Sequence, residues 1–583
     1  MYTHIKNVQI LISLLKQYGI KHVVLSPGTR NTALSHSIDS DDFFHCYSIV
    51  DERSAAFVAL GLAERMKEGV CVSCTAATAT SNYLPAIREA YERGIKLIAL
   101  TADRDRYTMF QMEDQCIDQV DMYHGYVKKA VHMPIVKDDR DYWYCNRVCN
   151  EALQSIDLHR DGPVQINYDM SFGVPEIAAA PIKELPITRK IERLVPMEVD
   201  WKGLAQTIES KKRILVVCGS DYAETNYLRS SLLSFSNKCN CAVLHDTYSN
   251  VASSEAKVYL NPGPIAQVMS EEEKKSLKPD LIISFGNIYY GTVKDFLPMF
   301  AKEVEHWEVS IDGQINDGFR CLKKLFEMRP EEFFDGLNSV CKGINTHSYY
   351  DEWMYRFNQI NYGSLPFTHF KVIQTVCASL PPNSILHTSV LNAIRFSNYS
   401  SINPTIVNFA NIGADGIDGA LSTFIGQASS TNNMAFLLVG DLSLLYDASS
   451  LLLDLPQNAR IIVVNNYAGA EFHRNFGREI KSVNKFIAAG HNTKIGHCAP
   501  LSNAAYYSAD DEESLASCMN ELIKDDGNPK LLEVFTDAKT DGATLNRFWD
   551  ENRHMSRKTR LKNAIKKTIG IQNIGKIKKI LKR

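Results

Sequence analysis

The chain reads as an α/β protein of three doubly wound parallel-sheet domains, an expectation that rests on three observations. Short apolar runs alternate with helical stretches along nearly the whole length. Those runs end in the Gly, Pro, Ser, Asp and Asn residues of loops, as in Leu25-Ser26-Pro27-Gly28, Val439-Gly440-Asp441 and Val464-Asn465-Asn466. In the clearest unit, Met434 to Val439 and Ile461 to Val464 are apolar and Ser443 to Asp454 has helical spacing. This predicts strand–helix–strand, a parallel crossover.

At 583 residues the chain has room for three or four domains, each able to bury a core. Apolar content of 45% and charged content of 22% are those of a soluble globular protein. A net charge of −3 gives no overall attraction to nucleic acid or membrane. The 14 cysteines are scattered, and Cys71, Cys74 and Cys218 fall inside apolar runs, which suits reduced thiols better than a disulfide framework. The lone Cys71-Val72-Ser73-Cys74 has no second half to complete a zinc site. Lys6, Asn7 and Gln9 interrupt any signal-peptide core, and no apolar run approaches the ~20 residues of a membrane span, so a cytoplasmic location is expected. Pro181 to Pro196 reads as a linker. The expected divisions are 1–185, 195–345 and 365–545, with a basic tail at 546–583.

In the first division, Val8 to Tyr18 predicts a helix and His22 to Leu25 a strand running into Ser26-Pro27-Gly28-Thr29-Arg30. At such a strand end the planar fork of Arg30 can meet an anion. Phe43 to Val50 is β-rich, and Ser54 to Met66 is an Ala-rich helix, so Glu52 lies where a strand hands over to a helix. Read alone, that acid stabilises the helix dipole. Val70 to Cys74 and Leu97 to Leu100 predict buried strands, the second ending in Thr101-Ala102-Asp103-Arg104. Read alone, Arg104 pairs with Asp103 or Asp105.

In the middle division, Arg213 to Cys218, Cys241 to Leu244, Leu281 to Phe285 and Trp307 to Ile311 are strand-like runs in a Rossmann-like alternation. No GxGxxG is present, so no dinucleotide site is supported. Lys294, in Gly291-Thr292-Val293-Lys294, reads by default as a solvated helix lysine. In the third division, Phe370 to Leu380 predicts a helix and Ser384 to His387 a strand. The crossover places Asp441 and Asn466 at the carboxyl ends of two parallel strands, where open α/β sheets bind ligands. A carboxylate, an amide oxygen and the Ala468 carbonyl are what Mg²⁺ takes when phosphates fill its other positions.

Gly440-Asp441-Leu442, then 22 residues (443 to 464), then Asn465-Asn466 is similar to the GDG…NN signature of thiamine-diphosphate (ThDP) enzymes. The GDLS form, with Leu442 and Ser443, resembles the branch of 2-succinyl-5-enolpyruvyl-6-hydroxy-3-cyclohexene-1-carboxylate (SEPHCHC) synthases. SPGTR (26–30), DERSAAFVALGLAER (51–65), TADR (101–104), QCIDQ (115–119) and NIGADGIDG (411–419) resemble further segments of that branch.

The resemblance implies a pyrimidine-binding first domain, a central scaffold and a third domain holding diphosphate and Mg²⁺. It implies that Glu52 contacts N1′ of the cofactor's aminopyrimidine, making the 4′-nitrogen a base and the thiazolium carbon an ylide. By carry-over, Thr29, Arg30, Arg104, Gln115, Lys294 and Arg395 face substrates. Ser389, Gly416, Gly440, Asp441, Leu442, Ser443, Asn466 and Phe472 lie against cofactor, and Ile417 is the apolar residue on which it bends. Asp441, Asn466 and Ala468 hold the metal. The cofactor is split between protomers, so a homodimer or tetramer is implied.

The implied reaction is decarboxylation of a 2-oxoacid and transfer of the enamine to an acceptor. Two departures bear on the substrate: the branch's arginine in NRG is Ile412, and Glu471 replaces an apolar residue. Both work against a dianionic donor, so altered substrates are expected. A synthase acting on 2-oxoglutarate and isochorismate, and a non-catalytic scaffold on a membrane, are the alternatives. The tail from Arg553 to Arg583 holds twelve Lys/Arg and no acid, with Ile565, Ile569, Ile574, Ile577 and Leu581 at helical spacing. An anionic membrane surface, and hence a peripheral position, is the expectation there; nucleic acid is not.

Overall fold

The computed structural model describes residues 1–170, 182–186, 188, 190, 199–220, 226–252, 259–287, 291–312, 316, 318–343, 345–476 and 482–553. The tail beyond 553, with its amphipathic pattern, lies outside the described residues.

Among the described residues eighteen strands form three six-stranded sheets, and every strand pairing within them is parallel. The first sheet contains β1 (His22–Leu25), β2 (His45–Ser48), β3 (Val70–Cys74), β4 (Leu97–Asp103), β5 (Lys129–Met133) and β6 (Val164–Asp169), in the order β2-β1-β3-β4-β6-β5. The second contains β7 (Ile214–Cys218), β8 (Cys241–His245), β9 (Tyr259–Leu260), β10 (Leu281–Phe285), β11 (Glu305–Val309) and β12 (Leu322–Phe326), in the order β12-β11-β10-β7-β8-β9. The third contains β13 (Ile385–Thr388), β14 (Val407–Ala410), β15 (Ala435–Gly440), β16 (Ala459–Asn465), β17 (Ala505–Ala509) and β18 (Lys530–Phe535), in the order β14-β13-β15-β16-β18-β17. The first and third sheets thus share one topology. Their winding direction reverses between β1 and β3, and between β13 and β15.

The expected strands are present because their apolar runs are covered on both faces. β3, β4, β7, β10 and β16 are buried at every position. The expected helix from Ser443 to Asp454 is instead two pieces, Asp441–Tyr446 and a 3-10 turn at Ala448–Leu452. The break falls at Asp447, whose buried carboxylate accepts from the Ser422 N–H at 2.7 Å and from the Ser450 hydroxyl at 3.2 Å. Burial pushes that carboxyl up to about 6.

The first and third sheets are joined through two helices, Glu52–Met66 and Ala420–Ser429. Glycines let their backbones touch. A Cβ at Gly61 would sit 2.1 Å from the Thr423 carbonyl oxygen, and one at Gly426 would sit 2.3 Å from that of Val58. Alanine at 61 gains up to about 1 kcal/mol of helix propensity. Overpacking against an atom that cannot rotate away costs ~1–3 kcal/mol or more, so the clash wins. Gly61→Ala should therefore lower stability in chemical denaturation; a neutral or stabilised variant would disprove the close seam.

Candidate active site

Ligands of doubly wound sheets bind beyond the strand ends at the reversal of winding, where neighbouring loops part. In the third sheet that crevice lies between β13 and β15. Ser389 follows β13 and its hydroxyl accepts from the Gly440 N–H at 3.3 Å. A Cβ placed on Gly440 would meet no atom within 4 Å, so the backbone there borders open space. Asp441, the next residue, is buried, and its carboxylate accepts from the N–H groups of Leu442 (2.7 Å) and Asn466 (3.1 Å). Burial holds that carboxyl above its ordinary range, the state of an acid that a cation would relieve.

Asn466 follows β16, the strand beside β15. Its Nδ2 donates to Asp541 at 2.9 Å and its Oδ1 accepts from the Ala468 N–H at 3.3 Å, so the amide is oriented. Ser443 donates to the Ile417 carbonyl at 2.6 Å, tying the 411–419 loop to the start of the Asp441 helix. Ile417 itself is 38% exposed, a bulky apolar side chain standing out of its loop beside Gly416. Phe472 packs with Ala468 and Ala470.

Two residues here carried no sequence signal. His491 Nε2 lies 3.3 Å from Asp441 Oδ2, and Asp541 receives both the Asn466 amide and the His369 N–H. Neither sits at a spacing that relates it to Asp441 or Asn466; only the fold brings them there. Leu391, just beyond β13, adopts φ +67°, strain for a non-glycine residue and a mark of functional loops.

The first sheet repeats the pattern between β1 and β3. The Arg30 N–H donates to the Thr75 hydroxyl at 3.3 Å across that gap, and Ala77 adopts φ +69°. The Arg30 side chain is half-buried and its Nε lacks a partner among the described residues. Burial, and then the neighbouring Arg104 charge, lower its pKa. Thr29 is exposed beside it. Arg104 pairs with Asp114 and, at 3.5 Å, with Glu113, rather than with Asp103 or Asp105. Gln115 is exposed on the same loop.

Glu52 opens the helix Glu52–Met66, with Asp51 capping it by accepting from the Arg53 and Ser54 N–H groups. The Glu52 carboxylate is half-buried, and no hydrogen bond to it occurs among the described residues. Its neighbours lean on the third sheet: Asp51 accepts from Ser449 at 2.8 Å, Arg53 donates to the Tyr446 carbonyl at 2.9 Å, and Ser54 lies 3.0 Å from Ser450. Lys294 is exposed on the helix Gly291–Phe296 in the second sheet's unit, apart from these strand ends in sequence and in sheet.

Arg395, in the helix Asn392–Asn398, is bound internally. Its Nη1 is 2.6 Å from Glu471 Oε2 and 2.6 Å from Asn392 Oδ1. Glu471, expected as an added negative charge, is paired with that arginine. Ile412 is buried with Tyr248, Val390, Ile394 and Ala410. It also lines a cavity of about 430 Å³ where the three sheets meet. Charges on that cavity's wall pair with one another, as in Arg93 with Glu64 and Lys96 with Asp161, and it lies away from the Asp441 crevice.

Residues 5–122 match the family described as thiamine pyrophosphate enzyme, N-terminal TPP binding domain. A SEPHCHC synthase of Phocaeicola vulgatus is 31% identical, covering 94% of this chain and 99% of the relative. One from Bacteroides fragilis is 30% identical, covering 94% and 100%. The chain belongs to the ThDP enzyme family, on its SEPHCHC-synthase branch. Benzoylformate decarboxylase from Polynucleobacter necessarius shares the fold, with a TM-score of 0.70 at 16% identity over 92% of this chain and 99% of that one. The fourteen cysteines are free, and among the described residues no helix is long and apolar enough to cross a membrane.

Proposed function

We propose that the protein decarboxylates a 2-oxoacid with ThDP and Mg²⁺ and joins the remaining fragment to an acceptor. The observation that carries this reading is the buried Asp441 carboxylate at the third sheet's winding reversal, beside open space over Gly440 and next to an oriented Asn466. Bound there, ThDP would supply the nucleophilic carbon and the electron sink for loss of CO₂. Asp441, Asn466 and the Ala468 carbonyl are the oxygen ligands we assign to Mg²⁺. Ser389, Gly416, Gly440, Leu442, Ser443 and Phe472 would border the diphosphate and thiazolium ends, and Ile417 would support the bend between the two rings. Glu52, its carboxylate uncommitted, would hold a proton at the aminopyrimidine N1′. Arg30, with Thr29, Arg104 and Gln115 around it, would take substrate anions.

In this reading residues 1–185 form the pyrimidine side, 365–545 the diphosphate side and 195–345 the scaffold. The site is completed by a second copy of the chain. Val50 (74% exposed), Phe110 (82%), Met112 (100%), Leu391 (41%) and Ile417 all project from loops that leave the carboxyl ends of the first and third sheets. That much apolar surface at one kind of edge supports burial against a partner protomer. The cationic tail would add contact with an anionic membrane surface. Isothermal titration with ThDP in magnesium buffer should show uptake that is lost in EDTA. Equal heats in the two buffers would remove Mg²⁺ from the reading, and no uptake in either would end it.

A further inference from the structure

The 411–419 loop, which carries Gly416 and Ile417, is gripped from the first sheet's side. It leaves β14 and enters the helix Ala420–Ser429. It lies against the helix Leu84–Arg93, which has Pro85 in its first turn, ends on Gly94 at φ +65° and leads to β4 of the first sheet. Glu89, on that helix, is only 2% exposed. One of its carboxylate oxygens accepts from the Gly413 N–H at 3.0 Å, and the other from the Ala414 N–H at 2.6 Å.

A buried acid is costly unless donors or an opposite charge answer it. Here two successive N–H groups do so, and Arg93 Nη1 lies 3.6 Å from the carboxylate. Glycine is what lets the loop come this close. A Cβ on Gly413 would stand 2.7 Å from Arg93 Cγ, 2.9 Å from Glu92 Cβ and 3.0 Å from the Glu89 carbonyl oxygen. Two further ties lie on the third sheet's side: Asn411 donates to Thr423 at 3.1 Å, and Ser443 to the Ile417 carbonyl at 2.6 Å. Glu89 therefore holds the stretch between those two ties, and holds it from the other sheet's unit.

We infer that Glu89 is a positioning residue for the cofactor: its carboxylate pre-forms the 411–419 loop, so that Gly416 and Ile417 are in place before ThDP binds. This rests on the ThDP reading above. A loop already in its bound shape spares the ligand the entropy of ordering it. Glutamine at 89 could answer only one of the two N–H groups, because its own NH₂ would face the other donor to donor.

The test uses the full-length protein in two variants. Glu89→Gln removes an acceptor, whereas Gly413→Ala keeps every charge and pushes the loop off the helix. Hydrogen–deuterium exchange without cofactor should be at least about tenfold faster in peptides spanning 411–419 of either variant, the scale of one charge-assisted hydrogen bond, and unchanged in the strands of the first sheet. Titration with ThDP in magnesium buffer should show affinity at least about tenfold weaker in both. Should Glu89→Gln fail to fold, Gly413→Ala decides alone. Wild-type exchange in the loop, exchange that rises as much through the first sheet as in the loop, or a loosened loop with unchanged ThDP affinity would overturn the inference and leave the ThDP reading standing. Absence of ThDP uptake by the wild type would overturn that reading, and the cofactor's part of the inference with it.

Discussion

Glu52→Gln is expected to lower kcat/KM for 2-oxoacid decarboxylation by roughly 10²–10⁴-fold, the range that general acid–base groups contribute. ThDP affinity should change by less than about tenfold, since each tenfold step is only ~1.4 kcal/mol and the diphosphate end is untouched. The asymmetry follows from position. Glu52 sits on the first sheet's side, with a carboxylate that accepts no hydrogen bond among the described residues, whereas the proposed anchor sits on the third sheet. Glutamine keeps the size and polarity but cannot share a proton with a ring nitrogen in the same way. Steady-state rates alongside a titration of the cofactor separate the two effects. Undiminished decarboxylation by this variant would take Glu52 out of the chemistry.

Asp441→Ala should have the opposite profile, abolishing uptake rather than turnover of bound cofactor. The wild-type carboxylate is buried against the N–H groups of Leu442 and Asn466, with His491 3.3 Å away. Alanine takes away the acceptor of those donors and removes the one charged ligand we assign to the metal. Loss of at least two orders of magnitude in ThDP affinity, about 3 kcal/mol, is expected in magnesium buffer, with no further loss on adding EDTA. Retained uptake that still responds to EDTA would show that the metal is held elsewhere. Because a buried acid is being removed, the variant should fold at least as well as the wild type. A lower melting temperature without cofactor would contradict that expectation.

Much of the scaffold was legible in the sequence because parallel strands are covered on both sides and so read as continuous apolar runs. β1, β3 and β10 have the limits that their apolar runs predict. β12, with Lys323 and Lys324 exposed, and β17, with Ala505 and Tyr506 exposed, lie at sheet edges and lack such a run. β9 is two residues long, too short for a pattern. Within the candidate site, Asp441 and Asn466 were readable because one crossover fixes their spacing. His491 and Asp541 were not, because their approach depends on how separate crossovers stack.

The Arg395–Glu471 pair shows a subtler limit. Sequence marked both residues, but treated them as independent charges facing a substrate. Two opposite charges on helices that follow the strands either side of β15 pair when the side chains can reach each other. That depends on helix direction after β13 and β16, which no local pattern specifies.

Each sheet draws all six of its strands from one uninterrupted stretch of chain. A nascent polypeptide can therefore complete the first sheet before the second has left the ribosome, and the second before the third. The glycine contact of Gly61 with the backbone at Thr423 is different, since it must wait until more than 360 residues later in synthesis. Until then the Ala-rich helix beginning at Glu52 presents its inner face to solvent. The vulnerable interval in the protein's biogenesis is thus the wait for that late docking step, and chaperone demand should concentrate there.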